Sequence, residues 1–255
     1  MSAAAARWCV LIPCLNEEAA IQSVIESVLA LGAPVIVIDD GSDDRTPDIV
    51  AALPVTLLRH ARRCGKGEAL RHGFREASRQ GYDAVLTMDG DGQHLAGDIP
   101  RIVAAAMSYP DHIVIGARLL DRAQQPKGRR RANAVADWGI SWACAQPVAD
   151  TQSGQRWYPR AALELFDLPA ENFVFEAAIL IAASREKQLG IISVPIASRY
   201  HGSFRPSHLS PIRDVTRITT YTIGRVVHYG NIIASYRRSR ARPRVIERTD
   251  SAVLE

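Results

Sequence analysis

The sequence predicts an α/β protein built on a mostly parallel sheet with helices on both faces. Three observations carry that prediction. Short apolar runs rich in β-branched residues alternate with amphipathic helical stretches through short connections, the pattern of parallel strands joined by crossover helices. Two of these runs stop abruptly at acids, Val35–Ile38 at Asp39-Asp40 and Ala84–Met88 at Asp89-Gly90-Asp91. In an open α/β sheet, ligands bind beyond the carboxyl ends of the strands, so these acids mark an edge where a substrate sits. Finally, 255 residues with 47% hydrophobic and 23% charged side chains suit one globular domain with a sizeable core, and argue against disorder or a fibre.

Taken in order, Trp8–Ile12 reads as a buried first strand. A polar loop, Pro13-Cys14-Leu15-Asn16-Glu17-Glu18, leads to an apolar-periodic helix from Ala19 to about Leu31. After the second strand, Asp44 or Thr46 caps a helix with Pro47 in its first turn, where a missing N–H is harmless. Val55–Leu58 is the third strand, and Arg62-Arg63-Cys64-Gly65-Lys66-Gly67 a basic glycine loop before a helix from Glu68 to Arg79. Ala84–Met88, a helix at Ile99–Met107 and a strand at His112–Ile115 complete the regular half.

The second half is less periodic. Arg118–Arg131 reads as an Arg-rich loop, Ala132–Ala145 as a helix, and Asp150 to Arg156 as a polar cluster before Trp157-Tyr158. Phe173–Gln188 is a strongly apolar helix carrying Glu176, and Ile191–Val194 a last strand that Pro195 assigns to an edge or a strand end. Pro211–His228 is a basic amphipathic helix, suited to packing on the core or docking on a membrane. From Arg237 onward the chain reads as a basic, flexible tail.

Charge is distributed unevenly. From His201 to the end there are 10 Lys/Arg against 4 acids, leaving 21 against 23 for the rest. A basic end on a near-neutral body suggests an anionic surface as partner. Cys9, Cys14, Cys64 and Cys144 have no paired spacing, which indicates reduced thiols and no zinc or disulfide framework. The first apolar run is too short for a signal peptide, and no stretch approaches the roughly 20 apolar residues of a membrane span. The expectation is a cytoplasmic protein with peripheral membrane contact at most.

Asp89 and Asp91 are spaced to hold Mg²⁺ or Mn²⁺, because hard divalent ions take carboxylate oxygens together with substrate phosphates; a plain Asp/Gly turn is the competing reading. With Asp39-Asp40 and the basic glycine loop they describe a site for a nucleotide diphosphate and a metal. Six blocks, in order, then resemble the inverting glycosyltransferases of family 2, most closely the dolichyl- or polyprenyl-phosphate sugar synthases. They are Ile12-Pro13-Cys14-Leu15-Asn16-Glu17, Val37-Ile38-Asp39-Asp40-Gly41-Ser42, Gly65-Lys66-Gly67, Met88-Asp89-Gly90-Asp91-Gly92-Gln93-His94, Gly116-Ala117-Arg118 and Asp150-x-x-Ser153-Gly154-x-Arg156. Gln155 stands where the last block usually has an aromatic residue.

The resemblance runs from about Trp8 to Tyr200 and implies a GT-A fold. Residues 8–117 would form the nucleotide-sugar half, 118–200 the acceptor half and 211–235 the amphipathic helix of one domain spanning 1–235, with 236–255 as tail. It implies donor contacts from Pro13, Leu15, Asn16, Glu17, Asp39, Asp40, Gly41, Ser42, Lys66, Asp89, Gly90, Asp91 and Arg118, and metal ligation by Asp89, Asp91 and Gln93. Acceptor contacts would come from Arg130, Arg131, Asp150, Ser153, Gly154 and Arg156. Asp89, Asp91, Asp150 and Arg118 would be the catalytic residues.

The implied reaction moves a sugar from a GDP-mannose or UDP-glucose type donor, with inversion, to a membrane lipid. A polyprenyl phosphate is the expected acceptor; a hydroxyl of another lipid, pigment or glycan is the alternative. A lipid phosphate is already an anion and needs no strong base, whereas a hydroxyl needs one, for which Asp150 is the candidate unless it ties down the Ser153-Gly154 turn. Arg129, Arg130 and Arg131 suit an acceptor phosphate or simple solvation equally. His60, His72 and His112 show no metal-ligand spacing, and His201, Ser203, Arg205 and His208 form a polar run that suits an acceptor-side lid or an ordinary loop. Among other classes, a haloacid-dehalogenase-type phosphatase normally carries its Asp-x-Asp after the first strand, and a non-catalytic scaffold would not need both acids. The partners expected are the nucleotide sugar, the lipid acceptor and the inner face of the cell membrane, touched through 211–248, with no nucleic acid.

Overall fold

The computed structural model describes residues 6–121, 127–169, 174–198 and 211–247, apart from the side chains at 127, 129 and 211–215. Seven strands form one sheet in the order β3-β2-β1-β4-β6-β5-β7. They are β1 (Trp8–Cys14), β2 (Val35–Asp39), β3 (Thr56–Arg59), β4 (Ala84–Thr87), β5 (His112–Ala117), β6 (Arg156–Pro159) and β7 (Gly190–Pro195). Every pairing is parallel except those of β6, which runs antiparallel between β4 and β5. The fold is GT-A, a mixed α/β sheet in which one reversed strand is inserted among parallel ones.

The helices are α1 (Ile21–Leu29), α2 (Thr46–Ala51), α3 (Lys66–Arg79), α4 (Ile99–Ser108), α5 (Lys127–Cys144), α6 (Arg160–Leu163), α7 (Val174–Arg185), α8 (Pro211–Tyr229) and α9 (Ile232–Ser239). Two cores result, one on each face of the sheet. Val10, Ile12, Val35 and Val37 face one core with α1 and α4, while Cys9, Leu11, Ile36 and Ile38 face the other with α3 and α7, as strand alternation requires. Phe74 of α3 is fully buried against Tyr158 and Phe175, with ring centroids 5.2 and 6.3 Å away. In α7, nine of twelve residues are buried, all round the helix, because α3, α5 and α8 surround it.

Four expectations are corrected. β1 runs on through Pro13 and Cys14, which pair with β2 after β4 has stopped pairing, so the missing proline N–H interrupts no ladder there. The stretch Arg118–Arg131 is not a loop throughout, since α5 starts at Lys127: arginine is a good helix former and Arg130 and Arg131 sit exposed on the first turns. Arg156–Pro159 is a strand that the sequence pattern did not mark. The tail from Arg237 is not free over its described length: α9 continues to Ser239, and residues 244–246 then return to the edge strand, where Ser193 N–H donates to Arg244 O at 2.9 Å and Ile246 N–H to Ser193 O at 2.8 Å. Arg244 also lies 4.4 Å over the Tyr109 ring. β7 is the sheet edge that Pro195 indicated. Phe173, the polar run from His201 to His208 and Arg248 lie outside the described residues.

Candidate active site

β4 ends at Thr87, and the chain then turns at the carboxyl edge of the sheet, bringing Asp89 and Asp91 out beside the start of α3 and the loop before β6. Lys66, in the first turn of α3, reaches Asp89 Oδ1 at 2.8 Å and Glu176 Oε2 of α7 at 3.3 Å. Gly154 explains how the carboxylate fits: a Cβ built there would fall onto the Asp89 carboxylate, closer than any real side chain approaches. Burial alone would push Asp89 up, but Lys66 beside it, helped by His94, holds it well below the ordinary carboxylate range. Asp91 goes the other way, raised first by burial and then by the Asp89 charge. Gln93 holds Asp91 in place, its N–H donating to Oδ1 at 3.0 Å and its Nε2 to Oδ2 at 2.7 Å, so it orients the acid. His94 Nε2 lies 3.7 Å from Asp89 Oδ2, and burial pulls its pKa down to about 4 despite Asp89, leaving a neutral imidazole behind the acid.

On the β5 side, Asp150 accepts three hydrogen bonds from Arg118: backbone N–H at 2.8 Å, Nε at 2.8 Å and Nη2 at 2.7 Å. Burial would raise Asp150, but these bonds keep it below its usual value. A carboxylate held this way orients an arginine and is a poor base. Asp137 of α5 fixes the same turn by accepting from the N–H groups of Asp150 at 3.2 Å and Thr151 at 2.7 Å. Arg118, Asp150 and Asp137 line a shallow cleft with Arg130 and Asn133 of α5. Arg131 is exposed outside this lining, and the Arg129 side chain lies outside the described residues.

Two expected acceptor residues are structural. Arg156 is fully buried; its guanidinium donates to Ser153 O, Thr151 O, Tyr158 Oη and Glu176 O, which leaves it turned inward. Ser153 is equally buried and donates through Oγ to Gly116 O at 2.5 Å. Gln155, in place of the usual aromatic, is buried and donates from Nε2 to Leu95 O at 3.2 Å.

At the β1/β2 end, Asp39 accepts from Ser42 N–H at 3.1 Å and from Ser42 Oγ, with Arg59 Nε 3.0 Å away. Asp40 is turned to the basic glycine loop, accepting from Cys64 N–H at 2.8 Å and Gly65 N–H at 2.7 Å, with His60 Nδ1 at 2.8 Å. His60 Nε2 in turn meets His72 Nδ1 at 3.2 Å. Gly41 has φ +79°, and a Cβ there would sit 2.8 Å from the Arg62 backbone, so the two loops close over one another. Asn16 Oδ1 accepts from Asp43 N–H and Glu17 N–H donates to Thr46 Oγ1, both at 2.8 Å, which ties the β1 loop, with Pro13 and Leu15, to the β2 loop. The expected donor-side residues of the β1 and β2 loops are therefore one connected rim, with Asp40 holding the rim together from inside.

Two carboxylates at the edge, one held ionised and one oriented by Gln93, are hard oxygen donors of the kind Mg²⁺ and Mn²⁺ accept beside phosphates, and the donor set fits such an ion. Asp40, His60 and Cys64 also bring three ligand atoms within 4.8 Å, but the Asp40 oxygens there are already hydrogen-bonded. Sequence reasoning passed over His94, Asp137 and the His60–His72 contact; only His94 had a signal, its place five residues after Asp89 in the acid block.

The family model described as Glycosyl transferase family 2 matches residues 9–166, the part of the chain that carries this rim and both acids. The chain belongs to glycosyl transferase family 2. As a family 2 glycosyltransferase it resembles the UDP-N-acetylglucosamine–dolichyl-phosphate N-acetylglucosaminyltransferase of Methanococcus voltae, at 28% identity over 74% of this chain and 84% of that one. The polyprenol monophosphomannose synthase of Mycolicibacterium smegmatis is 28% identical over 74% of this chain and 76% of its own. Among solved structures, the glucosyl-3-phosphoglycerate synthase of Mycobacterium tuberculosis, crystallised with Mn²⁺, UDP and glucosyl-3-phosphoglycerate, superposes with a TM-score of 0.64 at 26% identity, covering 86% of this chain and 80% of that one.

Proposed function

We propose that this glycosyltransferase moves a sugar from a nucleoside-diphosphate sugar to the phosphate of a polyprenyl lipid, with inversion at the sugar carbon. One observation carries the acceptor class: both acids of the acceptor cleft are tied, Asp150 on both oxygens by Arg118 and Asp137 by the N–H groups of Asp150 and Thr151, while Arg118 and Arg130 line that cleft. Arginines with no available base beside them suit an acceptor that is already an oxyanion and disfavour a neutral hydroxyl. The relatives named for dolichyl-phosphate and polyprenol acceptors support the same reading.

In this reaction the acceptor phosphate oxygen forms a bond to the sugar C1 from the face opposite the nucleotide, and the bond from C1 to the diphosphate oxygen breaks. The electron pair leaves with the nucleoside diphosphate, and no proton has to move. The loops at Asn16–Glu17 and Asp39–Ser42 border the nucleoside, Lys66 adds positive charge beside the diphosphate, and Arg118 and Arg130 hold the incoming phosphate against like-charge repulsion. Asp89 and Asp91 would hold a Mg²⁺ or Mn²⁺ ion, which when bound would supply Lewis-acid neutralisation of the departing diphosphate. His94 lies behind Asp89 as a neutral imidazole, its Nε2 3.7 Å from Oδ2.

The test supplies purified protein with Mg²⁺ or Mn²⁺, GDP-mannose, UDP-glucose or UDP-N-acetylglucosamine, and a polyprenyl phosphate, and scores lipid-extractable sugar beside an Asp91→Ala control. Transfer that disappears in the control and upon chelation is the expected result. Release of inorganic phosphate would instead favour the phosphatase, and metal-dependent nucleotide binding with transfer to a hydroxyl acceptor alone would overturn the lipid-phosphate assignment.

A further inference from the structure

The helices behind the acceptor cleft leave large apolar side chains in solvent. Val135 and Trp138 of α5, Ile223 and Val227 of α8, and Ile232 and Ile233 of α9 are 45–70% exposed. The three helices pack against one another, and aromatic rings connect two of them: Trp138 to Trp142 at 5.5 Å, and Trp142 to Tyr236 at 5.4 Å. Trp142 Nε1 donates to Ile232 O at 3.1 Å, so the aromatic ladder also pins the start of α9. Soluble surfaces scatter such residues singly; a neighbouring set with aromatics marks an interaction face.

Charge identifies what covers it. Residues 215–246 contain seven arginines and not one acid, and Arg237, Arg238, Arg240 and Arg242 are exposed on α9 and the turn after it. Apolar residues, tryptophan and tyrosine beside clustered arginines match the interfacial layer of an anionic bilayer, where aromatic rings sit at headgroup level and arginines meet phosphates. No helix among the described residues is long and apolar enough to cross a membrane, so such contact is lateral. Helix α5 joins this face to the site. Arg130, Asn133 and Asp137 line the cleft from one side of this helix, and Val135, Trp138 and Trp142 stand on its other side, so α5 lies between the cleft and the apolar face.

We propose that the α5–α8–α9 face docks on an anionic membrane surface and sets α5 at the bilayer as the guide along which a lipid-borne phosphate enters the cleft. The inference rests on the lipid-acceptor reading, and it assigns membrane contact to a composite three-helix face instead of to the amphipathic helix and tail alone.

The test is co-sedimentation with vesicles of phosphatidylglycerol and phosphatidylcholine against phosphatidylcholine alone, for the full chain, for Trp138→Glu/Ile233→Glu and for Arg237→Glu/Arg238→Glu. Binding to the anionic vesicles that falls at least ~tenfold in each double variant is expected. Folding and site integrity are read in parallel by metal-dependent nucleotide binding, which should be unchanged. Transfer to a short-chain, water-soluble polyprenyl phosphate should also persist while transfer to a long-chain acceptor in vesicles falls. Variants that bind vesicles like the parent protein would overturn the inference, as would a dimer that these substitutions convert to monomer without changing vesicle binding. Loss of transfer to both acceptors by the parent protein would count against the lipid-acceptor reading, whatever the vesicles show.

Discussion

At the scale of single residues, the site depends on contacts that admit little substitution. Gly154→Ala introduces a methyl group where the Asp89 carboxylate lies, so Asp89 must move away from Lys66. Mn²⁺ affinity, read by calorimetry in the presence of nucleotide, should fall about 10–100-fold, in the range of losses that follow disturbance around metal ligands. Asp150 separates two chemistries. If it positions Arg118, Asp150→Asn should lower kcat/KM about 10–100-fold with the shape of the pH–rate profile unchanged, because an amide still accepts part of the Arg118 fork. Loss of one limb of that profile would instead reveal a general base. Most of these residues were legible in the sequence as motifs, but their division of labour was not: Asp40 and Arg156 stand in the right blocks, yet both are turned inward to backbone groups.

At the scale of elements, β6 bears the most weight. Four residues with an arginine and a proline resemble a loop, and they form a strand because Arg156 has buried carbonyls to bind and because the two neighbouring strands leave a slot between them. Arg156→Met would strand the carbonyls of Thr151 and Ser153, and urea unfolding should show a loss of about 3 kcal/mol or more. Removing the Phe74 ring, which fills the space between α3, β6 and α7, should cost a similar ~3–5 kcal/mol without changing nucleotide contacts. The regular half was predictable because each strand there is a short apolar run and each helix has its own period; boundaries moved by only a few residues. α5 was half-predicted, since its first turns are arginines whose helical state is decided by propensity and by what they face, not by apolar spacing.

For the whole molecule, residues 244–246 close the outer edge of the sheet along β7. Truncation after Ala241 should uncover that edge, lower the thermal midpoint and raise self-association measured by light scattering, while metal-dependent nucleotide binding survives, because the site lies at the carboxyl edge around β1 and β4. The sequence by itself determined the fold class, the strand ends that carry acids and the family to which the chain belongs, because apolar periodicity and motif order are local properties of a chain. Only the tertiary structure decided which acids are available and which are tied, that an antiparallel strand enters the sheet, and that α5 packs against the distant α8 and α9, where their exposed apolar residues and arginines gather. Those are properties of side chains brought together from positions far apart, and their distances and burial exist only once the chain has folded.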